Sequence, residues 1–409
     1  MNLISRTPPG PWGYSCQWGY SCQVAHGTVN PARLQSVEKM KPATLLKFNF
    51  ADVLISFRNA FSFTFYIFAK IVKQKLLINP MEKVVSGIRS TGNLHLGNYY
   101  GALRNFVKMQ QEHECYFFIA DYHSLTTYPN PEDLHGNVRQ ILSEYLAAGI
   151  DPDQATLYIQ SDIPEVPELY LLMNMNAYVG ELERTTSFKE KVRSQPNNVN
   201  AGLLTYPVLM ATDIIIHHAT KVPVGKDQEQ NLEMTRRFAR RFNNMYQQEY
   251  FPEPEPYNFG QALVKVPGLD GSGKMGKTEG NAIFLADEPE VIRKKVMKAV
   301  TDAGPTEPNQ EMGEPIKNIF KLMEIVSEKE TYDYFLEQYN TMKIRYGDMK
   351  KQLATDIIEF TDPLREKIRA IHADEAYLRK VVEKGREKAR ASACKTVQDV
   401  RNIIGIKGF

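Results

Sequence analysis

The chain is poor in the features that mark secreted and membrane proteins. Its 409 residues contain four cysteines, Cys16, Cys22, Cys115 and Cys394, with no C-x-x-C pair. That excludes a thiolate zinc site and a disulfide framework, and points to a reducing compartment. Long apolar runs are also missing. The longest uncharged part of a Phe-rich stretch, residues 59–69, is too short to span a bilayer and lies too far in for a signal peptide. Acidic residues are scarce in the first 80 positions, two against nine Lys/Arg, whereas the remainder carries 46 against 41. With a net charge of only +2, any nucleic-acid contact must come from local basic faces.

Residues 1–80 stand apart. They hold both tryptophans, in a direct repeat W-G-Y-S-C-Q at 12–17 and 18–23. The segment is basic enough for a transit peptide. Met81, however, stands immediately before the first strand and reads as the natural start. Residues 1–80 are therefore expected to be an extension that is disordered or absent from the native protein.

From residue 82 onward, short apolar runs alternate with helical patterns. Strands are predicted at 83–85, 115–120, 156–160, 221–224 and 263–266, and helices at 98–110, 131–148, 165–191, 203–217 and from 225. This alternation predicts an α/β Rossmann-type doubly wound parallel sheet over 81–285, with a helical insertion at about 165–200. Residues 286–409 read as an all-helical domain. Its predicted helices are 289–300, 316–327, 329–339, 342–361, 363–371 and 374–391, and the last is a candidate to pack back on the sheet.

Three stretches could carry chemistry. Residues 86–101, S-G-I-R-S-T-G-N-L-H-L-G-N-Y-Y-G, read as a strand running into a glycine turn and a helix start. Such an arrangement offers unpaired N–H groups and partial positive charge to a phosphate. His95 and Asn98 would share a face there, with Gly97 leaving room for a flat ligand. Residues 271–281, G-S-G-K-M-G-K-T-E-G-N, place Lys274 and Lys277 on a loop whose glycine content predicts mobility without ligand. Mobile lysines suit a polyanion whose charge changes during reaction. Tyr206, Met210 and Asp213 share a helix face at spacings of four and three, with apolar neighbours around the acid. Taken singly, each has a bland reading: a glycine turn with a surface histidine, a solvated loop, an apolar helix with a locally paired acid.

Together these stretches resemble the class I aminoacyl-tRNA synthetases. H-L-G-N and K-M-G-K-T stand for the two signature sequences. The resemblance narrows to the bacterial-type tryptophanyl-tRNA synthetases on G-E-L-E-R-T-T-S-F-K-E-K, A-G-L-L-T-Y-P-V-L-M-A-T-D-I and V-P-V-G-K-D-Q, and spans most of residues 83–300. It implies activation of L-tryptophan by ATP with Mg²⁺, transfer to tRNA(Trp), a cytoplasmic homodimer and no membrane. It implies Lys191, Lys274 and Lys277 as catalytic cations. It places ATP at Arg89, His95, Gly97, Asn98, Gly225, Asp227, Lys274, Met275 and Lys277, and tryptophan at His123, Tyr206, Met210, Asp213 and Gln228. An indole N–H is a donor only, which suits the Asp213 carboxylate. No protein-built metal site is expected. The helical domain would contact the anticodon, with Lys343, Arg345, Arg386 and Arg390 as candidates. Three residues depart from the family pattern: Gly276 for serine, Arg89 for glutamine and Val85 for phenylalanine. The rivals are a tyrosyl-tRNA synthetase of the same architecture and a non-catalytic RNA or tryptophan sensor.

Overall fold

The structure, a computed structural model, describes residues 81–225, 228–257, 265–277 and 279–408. The expectations for residues 1–80 and for Asp227 lie outside them. Five strands form one parallel sheet among the described residues: β1 (Lys83–Arg89), β2 (Glu114–Ala120), β3 (Thr156–Ile159), β4 (Lys221–Val222) and β5 (Glu255–Pro256), in the order β3-β2-β1-β4-β5. β1 and β2 pair along their whole length, from Lys83 opposite Glu114 to Arg89 opposite Ala120. The strand order reverses between β1 and β4, so a crevice opens at their carboxyl ends.

Helices cover both faces. In chain order the longer ones are α1 (Leu96–Asn98, a π-helical segment Tyr99–Leu103, then Arg104–Met109), α2 (Pro131–Ala147), α3 (Glu165–Asn174), α4 (Thr186–Ser194), α5 (Tyr206–Ile215) and α6 (Glu229–Tyr246). They continue as α7 (Pro289–Met297), α8 (Glu314–Val326), α9 (Lys329–Asn340), α10 (Tyr346–Ala373) and α11 (Glu375–Ile404). Alternate strand residues feed two cores. Val84, Cys115, Phe117, Ile119 and Leu157 join one with α1, α2 and α7–α10. Val85, Tyr116, Phe118, Ala120 and Tyr158 join the other with α3, α5 and α6. α11 contributes Leu378 and Val381 to the first core and Ala389, Ala393, Val397 and Val400 to the second. It passes so close to β3 that a Cβ on Gly385 would sit 1.7 Å from the Leu157 carbonyl oxygen. Both cores therefore cross residue 285, and residues 79–409 form one compact unit.

Several expected elements differ. β1 runs on to Arg89, so Gly87 lies inside a strand, where a Cβ would meet the Phe118 ring at 2.6 Å. The true turn follows, with Gly92 at φ +105°. The helix expected at 165–191 is broken into α3, a short turn Val179–Leu182 and α4. The helix at 203–217 is interrupted at Thr205, which precedes the Pro-containing start of α5 and donates its hydroxyl back to the Ala201 carbonyl. Of the strand expected at 263–266, Leu263 and Val264 lie outside the described residues, and Lys265 and Val266 are not in a strand. In its place Glu255–Pro256 completes the sheet. Pro363, expected to separate two helices, lies inside α10, where buried Ile357, Ile358 and Ile368 anchor the helix on either side of it. Packing there outweighs the lost backbone bond. Arg390, a candidate for RNA, instead ties α11 to α3 through Glu165 at 2.8 Å.

Candidate active site

The crevice at the β1–β4 switch point is a cavity of about 380 Å³. Arg89, Asn98, His123, Tyr206, Met210, Asp213, Gly225, Gln228 and Lys277 all line it, so the fold brings together residues spread over nearly 190 positions of the sequence. Val85, Phe118 and Val222 supply apolar wall. His95, Gly97, Lys191, Lys274 and Met275 are not among the lining residues. His95 caps the helix start nearby, and Met275 is buried against Gly97.

One end is a buried acceptor. Asp213, 2% exposed, faces the cavity from α5 with Tyr206 and Met210. Its own helix neighbours are apolar, but it is partnered from two strand ends. His123, in the short helix after β2, places Nε2 2.8 Å from Oδ2. Gln160, just after β3, donates Nε2 to both carboxylate oxygens at 2.8 and 2.9 Å. Burial raises the Asp213 pKa, and the bonds from His123 and Gln160 work against that rise. The His123 ring packs edge-on against Tyr206 at 4.7 Å, fixing both. Oδ2 already takes two donors, but Oδ1 takes only one, so the acid keeps one acceptor position on Oδ1. Sequence reasoning missed Gln160. The available signal was its position, a polar residue directly after the apolar strand T-L-Y-I, matching that of Asp121-Tyr122-His123 after β2.

The other end is cationic. His95 accepts the Asn98 N–H on Nδ1 at 3.3 Å, and Asn98 returns Oδ1 to the His95 N–H at 3.1 Å. Burial pushes the His95 pKa down to about 4, with the Lys277 and Lys274 charges adding to it and Glu279 opposing. The imidazole is thus neutral at pH 7, with Nδ1 as acceptor and the proton on Nε2. Gly97 leaves no space for a ligand beside its Cα, because a Cβ there would meet the His95 ring at 2.8 Å. The glycine admits the capping imidazole instead.

Lys277 donates to the Gly92 carbonyl at 2.5 Å. Burial lowers its pKa to about 8; Glu144 opposes that and Arg89 reinforces it. Burial and then Arg89 likewise lower the Lys191 pKa. Arg89 itself reaches Thr127 Oγ1 at 3.4 Å. Arg89 thus repels both Lys277 and Lys191, an arrangement that a polyanion would relieve. The glycine-rich loop carrying Lys274 and Lys277 is more ordered than its composition suggests. Buried Asn281 accepts the Gly276 N–H at 2.9 Å and donates to Asp270, Ser272 and the Lys274 carbonyl. Among the described residues no group of three or more His, Cys, Asp or Glu could hold a metal ion.

A planar donor at one end and a polyphosphate at the other would be adjacent in this cavity. Residues 79–362 match the family profile of tRNA synthetases class I (W and Y). The chain belongs to that family. The tryptophan–tRNA ligase of Porphyromonas gingivalis is 65% identical over 327 residues, covering 80% of this chain and 100% of that protein. The tryptophan–tRNA ligase of Fusobacterium nucleatum is 39% identical over 329 residues, covering 80% and 99%. The crystal structure of tryptophanyl-tRNA synthetase from Campylobacter jejuni, complexed with ADP and tryptophan, superposes with a TM-score of 0.71 at 32% identity over 79% of this chain and 100% of that one.

Within this class I synthetase the departures have visible settings. Gly276 occurs where a Cβ would lie 1.9 Å from the Glu279 carboxylate, so that acid fills the place of the missing side chain. Arg89 sits at the carboxyl end of β1, and Val85 lines the cavity floor beside Phe118.

Proposed function

We propose that this chain is an ATP-dependent tryptophan–tRNA ligase. Asp213 carries the reading: a buried acceptor, aimed into an apolar-walled cavity and pre-oriented by His123 and Gln160, suits a ring N–H. A site built to bond that group rejects side chains lacking it. Met210, Val85 and Phe118 flank the indole, and Tyr206 and Gln228 take the amino group. ATP lies toward Asn98, Gly225 and the cations, with the ribose near Asp227.

The tryptophan carboxylate attacks the α-phosphate. A carboxylate–phosphorus bond forms and the bond to the bridging oxygen of pyrophosphate breaks, leaving tryptophanyl-adenylate. Lys277, Lys191 and Lys274 stabilise the charge gathering on the departing pyrophosphate, while Arg89 holds the α-phosphate region. The 2′-hydroxyl of the terminal adenosine of tRNA(Trp) then attacks the acyl carbon and releases AMP. The residues at the phosphate end are cations and offer Mg²⁺ no carboxylate set. Mg²⁺ is therefore assigned to the substrate's own phosphates.

Helices within 286–409 are assigned to the anticodon, with Lys343, Arg345 and Arg386 as contacts. A homodimer is proposed on the exposed apolar Leu171, Met175, Tyr178 and Val179, which cluster at the end of α3. The cytoplasm is the proposed compartment; no helix among the described residues is long and apolar enough to cross a membrane. Amino-acid-dependent ATP–pyrophosphate exchange tests the assignment. Exchange with tryptophan and not tyrosine is expected. Exchange with tyrosine alone, or with neither, defeats it.

A further inference from the structure

The mechanism above leaves one buried acid unused. Glu144 is fully buried on α2, among Ile141, Leu142, Tyr145 and Leu146, where an apolar side chain would be expected. Burial raises its pKa to about 7, so the position is a costly one for a carboxyl group. Its hydrogen bonds show what it holds. Oε1 accepts from Gln140, one turn earlier on α2, at 2.9 Å. Oε2 accepts the Leu94 backbone N–H, also at 2.9 Å.

Leu94 lies in the turn that leads through the capping His95 to Asn98 at the cavity. Its carbonyl is taken by the Leu285 N–H at 2.9 Å, and the Leu96 N–H by the Ile283 carbonyl at 3.0 Å. The Leu94 N–H has no backbone acceptor in that pairing, and Glu144 supplies one. Two residues earlier, the Gly92 carbonyl is held by Lys277. The turn is thus gripped from α2 at Leu94 and from the K-M-G-K loop at Gly92. Glu144 is also the acid that acts on Lys277, where Arg89 on β1 pushes the other way and His95 is neutral.

We infer that Glu144 is a positioning residue for the nucleotide half of the site, fixing the Gly92–Asn98 turn through the Leu94 amide and serving as counter-charge for Lys277 until phosphates arrive. The inference rests on the ATP site proposed above. It follows that Glu144 affects ATP and not tryptophan, because the backbone it bonds belongs to the turn that carries Asn98 and not to the elements that carry Asp213.

The test is tryptophan-dependent ATP–pyrophosphate exchange with the full chain, Glu144→Ala and Glu144→Gln, over pH 6–10. Removing the acceptor in Glu144→Ala should raise KM for ATP about tenfold and leave KM for tryptophan within about twofold. Gln keeps an oxygen for the Leu94 N–H, so Glu144→Gln should restore KM for ATP to within about threefold of the parent. It removes the charge, so the alkaline limb of kcat/KM for ATP should move to lower pH as Lys277 gives up its proton more readily. An unchanged KM for ATP in Glu144→Ala, a parallel rise in both KM values, or a Glu144→Gln pH profile superimposable on the parent overturns the inference. Absence of exchange in the parent chain is a different result, and it defeats the proposed function instead.

Discussion

The two ends of the cavity are built on opposite plans. The amino-acid end rests on regular structure: Asp213 from mid-helix, His123 and Gln160 from strand ends, each side chain bonded to the next and buried. The proposed phosphate end draws its cations from the end of β1, from α4 and from a loop; Arg89 and Lys277 bond a hydroxyl and a carbonyl, with Glu144 acting on Lys277 and Glu190 on Lys191. One end is complete before ligand arrives. The other is under electrostatic tension that a substrate discharges. The difference fits two tasks: discrimination needs a fixed partner, while phosphoryl chemistry needs charge free to follow a leaving group.

Four substitutions would sharpen or break this contrast. Asp213→Asn should have the largest effect. It puts an N–H₂ where His123, Gln160 and an indole all present donors, and kcat/KM for tryptophan in the exchange assay should fall on the order of 10³-fold. Near-parent exchange would remove Asp213 from recognition. Lys277→Ala should slow adenylate formation in single-turnover quench experiments about 10²-fold while equilibrium tryptophan binding is unchanged. Equal losses in both would mark Lys277 as structural, and the contrast between the ends would collapse.

Gln160→Leu should raise KM for tryptophan about tenfold and spare KM for ATP, because it unties Asp213 on one side only. A rise in KM for ATP of the same size would show the ends to be coupled. Gly276→Ser should be mildest, changing kcat by no more than about threefold. The clash it introduces is with the free end of the Glu279 side chain, which can swing away. A tenfold loss would mean that Glu279 is fixed and that the glycine is required.

What was legible in the sequence follows the same division. The helix face of Tyr206, Met210 and Asp213 could be read from spacing alone, because a helix has a fixed period and its residues stay together wherever the helix goes. The alternating sheet was legible for the same reason. The partners of Asp213 were not, since His123 and Gln160 reach it only through the parallel pairing of β1, β2 and β3, and pairing is a long-range property. Gly97 reads from the sequence as an opening for a ligand, but it accommodates the His95 ring; Gly87 likewise lies against a ring of the protein, Phe118. A glycine in a sequence reports close approach without reporting by what. The order in the K-M-G-K loop was hidden because it depends on one residue, Asn281, which accepts from Gly276 and donates to Asp270, Ser272 and Lys274.

The contact between Gly385 and Leu157 bears on how the chain is made. Among the described residues β3 is an edge strand, and its neighbourhood is closed by α11, a 30-residue helix. The Glu165–Arg390 bond that fastens this helix joins residues 225 positions apart. On the ribosome, the sheet order from β3 to β5 is available long before that helix emerges, so an unpaired edge and the apolar surface of Tyr158 wait uncovered through most of synthesis. This late helix acts as the closing seam, and a nascent chain stalled before it would be the form most exposed to aggregation and to chaperones.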